Sequence, residues 1–245
     1  MTVTVAPIVS LRGVSKRFGD NDRLVWALRH VSLDILPGEF VSLMGPSGSG
    51  KSSLLNLIAG LDTPSEGEVR VDGKLVTMLS DGQLAQLRRR TITFVFQFFN
   101  LLPTLNAGQN VAVPLRADGL PRAEIATRVS RALAAVGLTD RASHYPSELS
   151  GGEMQRVAIA RALATDARVI LADEPTGNLD SVRGEDILEL LKRATERDGR
   201  TVVLVTHDLR AAAYGDRLIT LRDGHIVDEV EGPGRTAKVI PLHRV

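Results

Sequence analysis

Residues 45–52 read Gly45-Pro-Ser-Gly-Ser-Gly-Lys51-Ser52, and this stretch decides the fold. It matches the pattern G-x-x-x-x-G-K-[S/T] and stands between an apolar run at 40–44 and a predicted helix at 52–59. A strand, a glycine-rich turn and a helix in that order surround a phosphate with backbone N–H groups and the positive end of a helix. The predicted phosphate loop comprises Gly45, Pro46, Ser47, Gly48, Ser49, Gly50, Lys51, Ser52 and Ser53.

The side chains of this loop fit a nucleoside triphosphate. Lys51 would reach the β- and γ-phosphates, and the Ser52 hydroxyl would bind Mg²⁺. Such a loop needs a carboxylate at the end of a neighbouring apolar strand, and the run at 169–172 is followed by Asp173 and Glu174. We expect Asp173 to serve the metal and Glu174 to polarise a water aimed at the γ-phosphate.

A histidine follows a second apolar run. Residues 202–206 end at His207, where ligands of open α/β sheets bind. His207 could contact the γ-phosphate and the catalytic carboxylate, or it could only cap the next helix. We expect the other histidines to be structural or exposed, namely His30, His144, His225 and His243.

A second anion site is predicted about a hundred residues further along. The stretch ELSGGEMQRVAIARALA at 148–164 reads as a helix that opens on Ser150-Gly151-Gly152 and leaves bare N–H groups. The nucleotide is already held by the first loop of the same chain. The second site therefore favours contact with the nucleotide of another copy, in a dimer that buries two ATP molecules.

The order of the remaining runs predicts an α/β fold. Continuous apolar strands separated by helices indicate a P-loop NTPase core with a mainly parallel sheet. Short strands at 8–11, 25–28, 31–35 and 68–71 predict an N-terminal antiparallel β subdomain, and Asp223-Gly224 predicts a hairpin. Residues 105–163 read as mostly helical, with Pro114, Pro121 and Pro146 as breakers.

These patterns predict a single domain over 1–230. The core with its β subdomain would take 8–96 and 165–230, and an inserted α-helical subdomain would take about 98–163. Residues 231–245 lack periodicity and are predicted to be a C-terminal extension.

The composition is that of a globular protein and argues against several other classes of protein. Of 245 residues, 43% are hydrophobic and 24% charged, as in globular proteins. A net charge of +1 gives no reason to expect nucleic acid, and we expect Arg88-Arg-Arg90 to be a solvated helix end. The absence of cysteine excludes disulfides. We expect neither a signal peptide nor a membrane span, so any work at a membrane needs another chain to cross it.

Taken together, six motifs resemble the ATP-binding subunit of an ABC transporter over residues 8–230. They are GPSGSGKSS (45–53), Gln97 after 94–96, LSGGE (149–153), VILADE (169–174), NLD (178–180) and His207. The separation of Lys51 from Asp173 fits too, because it leaves room for a helical subdomain and none for a coiled-coil arm.

The resemblance implies a role for each matching residue. Phe18 would stack on adenine, in place of the usual tyrosine. Gln97 would contact Mg²⁺ and the attacking water, and Asp180 would run along a dimer interface. The γ-phosphate of the partner's ATP would be capped by Ser150, Gly151 and Gly152. ATP and Mg²⁺ are thus the implied cofactors, with Glu174, His207 and Gln97 as catalytic residues and Ser52, Gln97 and Asp173 at the metal.

Two departures from the family pattern concern the anion loops. LSGGE replaces the commoner LSGGQ, and Glu153 thereby places a negative charge near a helix N-terminus, favourable for the dipole and unfavourable next to phosphate. We expect its side chain to point away from the phosphate. Ser53 replaces a threonine, with little consequence.

Three stretches, 99–105, 110–115 and 147–153, are similar to the lipoprotein-releasing and macrolide-exporting ATPases, with the cell-division ATPase close by. This branch implies a motor subunit that dimerises with a second copy and drives integral membrane permease subunits from the cytoplasmic face, with no nucleic acid. One alternative is a regulatory ATPase that acts through a related permease on cell-wall machinery without transport. Another is a soluble ABC protein of translation or DNA repair, which the lack of a second ATPase unit disfavours.

Overall fold

The protein contains two β-sheets. The computed structural model describes residues 5–19 and 24–232. An antiparallel sheet has the strand order β2-β1-β4-β5, and a six-stranded sheet has the order β10-β9-β3-β8-β7-β6, parallel except for the β9–β10 hairpin. The strands are β1 Val9–Phe18, β2 Val25–Ile35, β3 Phe40–Met44, β4 Glu66–Val71, β5 Lys74–Leu75, β6 Ile92–Phe96, β7 Val169–Asp173, β8 Thr201–Thr206, β9 Arg217–Arg222 and β10 His225–Glu231. The predicted α/β class is confirmed.

Seven α-helices accompany the sheets in the described residues. They are α1 Lys51–Ile58, α2 Asp81–Arg90, α3 Ala107–Ala117, α4 Arg122–Ala135, α5 Gly151–Leu163, α6 Ser181–Glu196 and α7 Leu209–Ala212. Ser80, Asn106 and Ser150 begin α2, α3 and α5 with reciprocal capping boxes, which satisfy backbone donors that a helix start leaves unpaired. No helix in the described ranges has the length and apolarity to span a membrane.

Apolar side chains cover the six-stranded sheet on both faces. Along β8, Val203 and Val205 join the cluster shared with the antiparallel sheet and α1, whereas Val202 and Leu204 join the cluster on the other face. Burial on both faces explains the uninterrupted apolar run of this strand. The second cluster also includes side chains of α3, α4, α5 and α6, so the inserted helices share an apolar core with one face of the sheet.

Some predicted elements differ in the structure. Pro114 was expected to break a helix, and this is wrong, because it lies inside α3. The burial of Val111 and Leu115 in the second apolar cluster holds the helix together around it. The two strands expected at 25–28 and 31–35 form one strand, β2, in which His30 has a φ of +49°. Such a left-handed residue fits the irregular pairing between β1 and β2.

The basic run at the end of α2 binds protein atoms. Arg88 and Arg89 donate to the carbonyls of Gly60 and Ala117, at 2.9 and 3.0 Å, and Arg90 pairs with Asp118 at 2.9 Å. These contacts give the basic run a structural role. At the other end of the chain, Glu231 belongs to β10, so part of the expected extension is structured, and 233–245 lie outside the described residues.

A buried ion pair fastens β9 to the turn before β3. Arg217 Nη1 donates to Glu39 Oε1 at 2.9 Å and to the carbonyl of Asp34 at 3.0 Å, and Glu39 also accepts from the Leu36 N–H. The side chains of Arg217 and Glu39 are only 8% and 3% exposed. Loss of one partner would leave the other charge in a low dielectric.

We expect Glu39→Ala to lower the free energy of unfolding by about 3 kcal/mol, because it removes the buried carboxylate from Arg217 and leaves Glu229, whose side chain is 40% exposed, as the acidic partner. Urea denaturation followed by circular dichroism measures this change. Arg193→Gln is the control, because it breaks an exposed pair with Glu189 and should cost less than about 1 kcal/mol. Equal losses in both variants would contradict the assigned role of Glu39.

Candidate nucleotide-binding site

The predicted phosphate loop leaves the end of β3 and enters α1. Gly45 and Gly50 have φ values of +152° and +106°. A Cβ at Gly45 would overlap the carbonyl oxygen of Leu221, and one at Gly50 would overlap that of Ala27. The backbone carbonyls of β9 and β2 therefore lie directly against the loop, and only glycine fits at these two positions.

Lys51 lies across this loop. Its ammonium group donates to the carbonyls of Gly45 and Pro46, at 2.8 and 2.9 Å, and the residue is buried. An ammonium group has three donors. These bonds hold the side chain over the loop and leave a third N–H for an oxygen of a bound phosphate.

Ser52 and Asp173 meet at the start of α1. A hydrogen bond joins the two side chains, and burial raises the pKa of Asp173, with Glu174 acting in the same direction and Ser52 and Lys51 against it. Hydroxyl and carboxylate oxygens are ligands that Mg²⁺ accepts, so the pair fits a magnesium site that phosphate and water complete. Within 5–19 and 24–232, no group of three acidic, histidine or cysteine side chains is placed to hold a metal ion by itself.

Glu174 and His207 form a second pair at the same edge. His207 Nδ1 lies 3.1 Å from Glu174 Oε2. Glu174 has a φ of +46°, which is uncommon outside glycine, and its N–H is fixed by the Val205 carbonyl at 2.9 Å. The imidazole can donate Nδ1–H to the carboxylate. It can donate to a phosphate as well only when both ring nitrogens carry protons.

Gln97 follows β6 and lies beside the segment after β7. A Cβ at Gly177 would sit 2.9 Å from Gln97 Nε2, and Asn178 Nδ2 donates to the Gln97 carbonyl at 3.1 Å. Parallel pairing also aligns Phe96 with Asp173. The structure thus brings Gln97 to the sheet edge that carries the carboxylates.

The second predicted anion site, Ser150-Gly151-Gly152, is surrounded by residues outside the phosphate loop. A Cβ at Gly151 would meet Phe99 and Leu179, and one at Gly152 would meet Arg183. Asp180 caps α6 and accepts from the Arg183 N–H at 3.0 Å. In the described part of the chain, the hydrogen bonds of Ser150 go to Glu153 and Met154 and none reaches residues 45–52.

Glu153 binds back to this helix start and to Arg141. That its side chain points away from a bound phosphate stays a prediction. Its Oε2 accepts from the N–H and the hydroxyl of Ser150, at 2.9 and 2.8 Å, and its Oε1 accepts from Arg141 at 3.2 Å. The bonds from Ser150, aided by Arg141, lower the pKa of Glu153 to about 2. The capping box offers backbone donors that a solvent-facing rotamer would forfeit.

Phe18 ends β1, opposite Val25, and its ring is 46% exposed. Lys16 Nζ lies 4.9 Å from the ring centroid. Adjacent to it, β2 carries the Ala27 carbonyl that presses on Gly50. Phe18 is therefore on a strand pair that abuts the phosphate loop, with a face available for stacking.

Two polar residues of α5 escaped prediction. Gln155 is fully buried, and Arg161 is largely buried, which lowers the pKa of Arg161. Both touch the chain on either side of Gln97. The available signal was a glutamine at helical spacing from Ala158 and Ala162, on the face predicted to be apolar.

Comparison with known proteins agrees with this geometry. The ABC transporter family profile matches residues 28–177. The chain is 50% identical over 224 residues to the macrolide export ATP-binding/permease protein MacB of Brucella melitensis, covering 91% of this chain and 34% of that protein. It is 49% identical over 226 residues to the ABC transporter ATP-binding protein MJ0796 of Methanocaldococcus jannaschii, covering 91% of this chain and 96% of that protein.

A solved structure of MJ0796, described as a dimeric post-hydrolysis state bound to ADP and Pi, matches with a TM-score of 0.86 and 47% identity. The match covers 93% of this chain and all of that one. A second structure, described as dimeric MJ0796, matches equally well. The chain spans about a third of the MacB proteins and nearly all of MJ0796.

We expect Glu174→Gln to bind ATP with near-normal affinity and to hydrolyse it 10²- to 10⁴-fold more slowly, because the amide keeps the shape and loses the base. Release of inorganic phosphate measures hydrolysis, and a fluorescent ATP analogue measures binding. Glu148→Gln, at a carboxylate outside this edge, is the control. Hydrolysis within a few-fold of wild type would show that Glu174 is not the base.

Proposed function

This chain belongs to the ABC transporter family, as an ATP-hydrolysing cassette, and on that premise we propose that it works as a pair of copies closing around two ATP molecules to drive a separate membrane permease. Each ATP would lie between residues 45–53 of one copy and Ser150-Gly151-Gly152 of the other. Closure would push the permease, and hydrolysis would reset the pair.

The observation that carries this proposal is the direction of the second anion site. Within one copy, a Cβ at Gly151 or Gly152 would meet Phe99, Leu179 or Arg183, and no hydrogen bond of Ser150 in the described residues reaches the phosphate loop. A helix start with two glycines and a serine is suited to a phosphate, and a second copy can supply one. The description of MJ0796 as dimeric in both solved structures supports a pair of copies.

Exposed apolar side chains also support a facing pair. Val182, two residues after Asp180, and Leu209, two residues after His207, are each 70% exposed. Both stand beside residues predicted to lie near nucleotide. Their burial between two copies would add apolar area at the interface core.

Within each site we assign the chain's residues as follows. Phe18 would stack on adenine, Lys51 would hold the phosphates, and Asp180 would lie along the interface. Glu174 would accept a proton from the attacking water, held in place by His207 and Gln97. Mg²⁺, bound through Ser52, Asp173 and Gln97, would neutralise phosphate charge.

A separate surface supports docking of a permease. Phe98 and Leu102 follow Gln97 and are 71% and 48% exposed. Exposed aromatic and aliphatic side chains next to one another favour a protein partner. MacB, as a macrolide export ATP-binding/permease protein, joins an ATP-binding part and a permease in one chain. We place this chain at the cytoplasmic face of a membrane, held by its permease, where it would power export of a lipoprotein, lipid, peptide or drug.

Mixing two inactive variants tests the facing pair. Lys51→Ala disables the phosphate loop, and Ser150→Arg disables the opposite face. Alone, each should lose hydrolysis. A mixture forms heterodimers with one intact composite site, so we expect partial recovery, to about a quarter of the wild-type rate for random pairing.

Phosphate release from equimolar mixtures measures this recovery, and a mixture of Ser150→Arg with wild type is the control. Absence of any recovery would contradict sites shared between copies. So would a loss of ATP binding by the isolated Ser150→Arg monomer, because the serine would then serve its own nucleotide.

We expect the double variant Phe98→Ser and Leu102→Ser to leave the membrane fraction of its host cell, since it removes the apolar surface for the permease. Immunoblots of sedimented membranes measure the bound share. Val227→Ser, at an exposed valine of β10, is the matched control. Full retention of the double variant would rule out this docking surface.

A further inference from the structure

We propose that Gln155 and Arg161 are positioning residues through which α5 grips the chain on both sides of Gln97, so that Gln97 in one nucleotide site and Ser150 in the other move together. This inference rests on the proposed function, because it assumes that Ser150 acts on the partner's ATP. It adds a physical connection between the two sites and names the residues that make it. The segment at issue, residues 96–100, is called the Gln97 segment below.

Gln155 holds the near side of the segment. Its Nε2 donates to the Phe96 carbonyl at 3.2 Å and to the Pro175 carbonyl at 2.7 Å. Phe96 ends β6, and Pro175 follows Glu174 after β7. One amide therefore joins α5 to the ends of two adjacent strands, immediately before Gln97 and immediately after Glu174.

Arg161 holds the far side. Its guanidinium donates to the Asn100 carbonyl at 2.7 Å and to the Phe99 carbonyl at 3.0 Å. Asn178 adds a bond to the carbonyl of Gln97 itself. Carbonyls at positions 96, 99 and 100 are thus bound by side chains from a single helix, six residues apart along it.

Simple packing does not account for this arrangement. Gln155 Oε1 is buried without a hydrogen-bond partner in the structure, which is costly and which an apolar side chain would avoid. At the far end of α5, by contrast, Arg200 donates to the carbonyls of Ala162 and Leu163, the last two residues of that helix, and of Thr165 just after it. Arg200 caps a helix, whereas Arg161 reaches out to another segment.

The grip has a mechanical consequence. A helix of 13 residues is about 20 Å long and behaves as a short rod. Ser150 stands at its first turn, one turn before Gln155. If a bound γ-phosphate shifted Gln97, the carbonyls bound by Gln155 and Arg161 would carry α5, and therefore Ser150, with them. Occupancy of one site thereby adjusts the helix start that closes the other.

The experiment compares Gln155→Leu and Arg161→Lys with Arg200→Lys as the matched control, because Arg161 and Arg200 are similarly buried and both bind carbonyls. We expect wild type to hydrolyse ATP with a Hill coefficient of about two, and both grip variants to fall to about one. Their kcat should drop at least about tenfold while monomer affinity for ATP stays the same. Arg200→Lys should keep the wild-type Hill coefficient even if its unfolding midpoint falls.

A second measurement, of the distance between β5 and α4, tests the proposal even if one of the variants folds poorly. The chain has no cysteine, so spin labels can be placed at Lys74→Cys in β5 and Arg122→Cys in α4. In the Glu174→Gln background, we expect ATP to change the distance between the labels. We expect Gln155→Leu to reduce that change without preventing dimer formation.

The outcomes separate the two proposals. If wild type neither dimerises nor hydrolyses cooperatively, the proposed function fails and this inference fails with it. If wild type does both, and folded Gln155→Leu and Arg161→Lys keep its Hill coefficient and its label distances, the facing pair stands and the coupling role is overturned. A loss of cooperativity in Arg200→Lys equal to that in Arg161→Lys would also overturn it, since any damage to α5 would then suffice.

Discussion

Parallel pairing of four strands is the constraint on which the site depends. The register sets Met44 of β3 beside Thr206 of β8, Asp173 of β7 beside Val205, and Phe96 of β6 beside Asp173. Each strand ends at one edge, and the next residues along the chain carry the chemistry. Lys51, Glu174, His207 and Gln97 come from distant parts of the sequence and meet because the strands stop together. Antiparallel pairing would have sent half of them to the opposite edge.

Local patterns were enough to predict much of this arrangement. The phosphate loop is a continuous stretch, and the carboxylates and the histidine each follow an apolar run, so periodicity located them. Pro114 shows where local rules fail, because packing of Val111 and Leu115 outweighs the cost of a proline inside α3. Arg88–Arg90 shows the same limit, since only the fold brings the carbonyls of Gly60 and Ala117 to their guanidinium groups. Contacts between distant segments leave no periodic signal in a single sequence.

The helix α5 illustrates the difference between finding a motif and understanding it. Its first turn was predicted as an anion site from two glycines and a serine. The rest of the helix was expected to be part of the apolar core. In the structure, however, Gln155 and Arg161 of this helix donate hydrogen bonds to the carbonyls of Phe96 and Phe99, at the end of β6 and just after it. Buried polar side chains of this kind need partners, and those partners lie about 60 residues earlier in the chain. In the sequence, the only indication of such contacts is a polar residue on an otherwise apolar helix face.

Finally, the capping box at Ser150 pairs the hydrogen-bonding groups of this serine within its own chain when a copy is alone. The serine hydroxyl is already engaged by an ionised carboxylate that Arg141 also binds. The hydroxyl has one proton, so it can donate to a phosphate only after it turns away from Glu153, and a carboxylate beside a triphosphate meets like charge. A glutamine in its place would carry no such repulsion. In the proposed pair, the approach of a partner's phosphate would therefore cost Ser150 its bond to Glu153 and bring two negative charges together, and the contacts between copies would have to offset that cost.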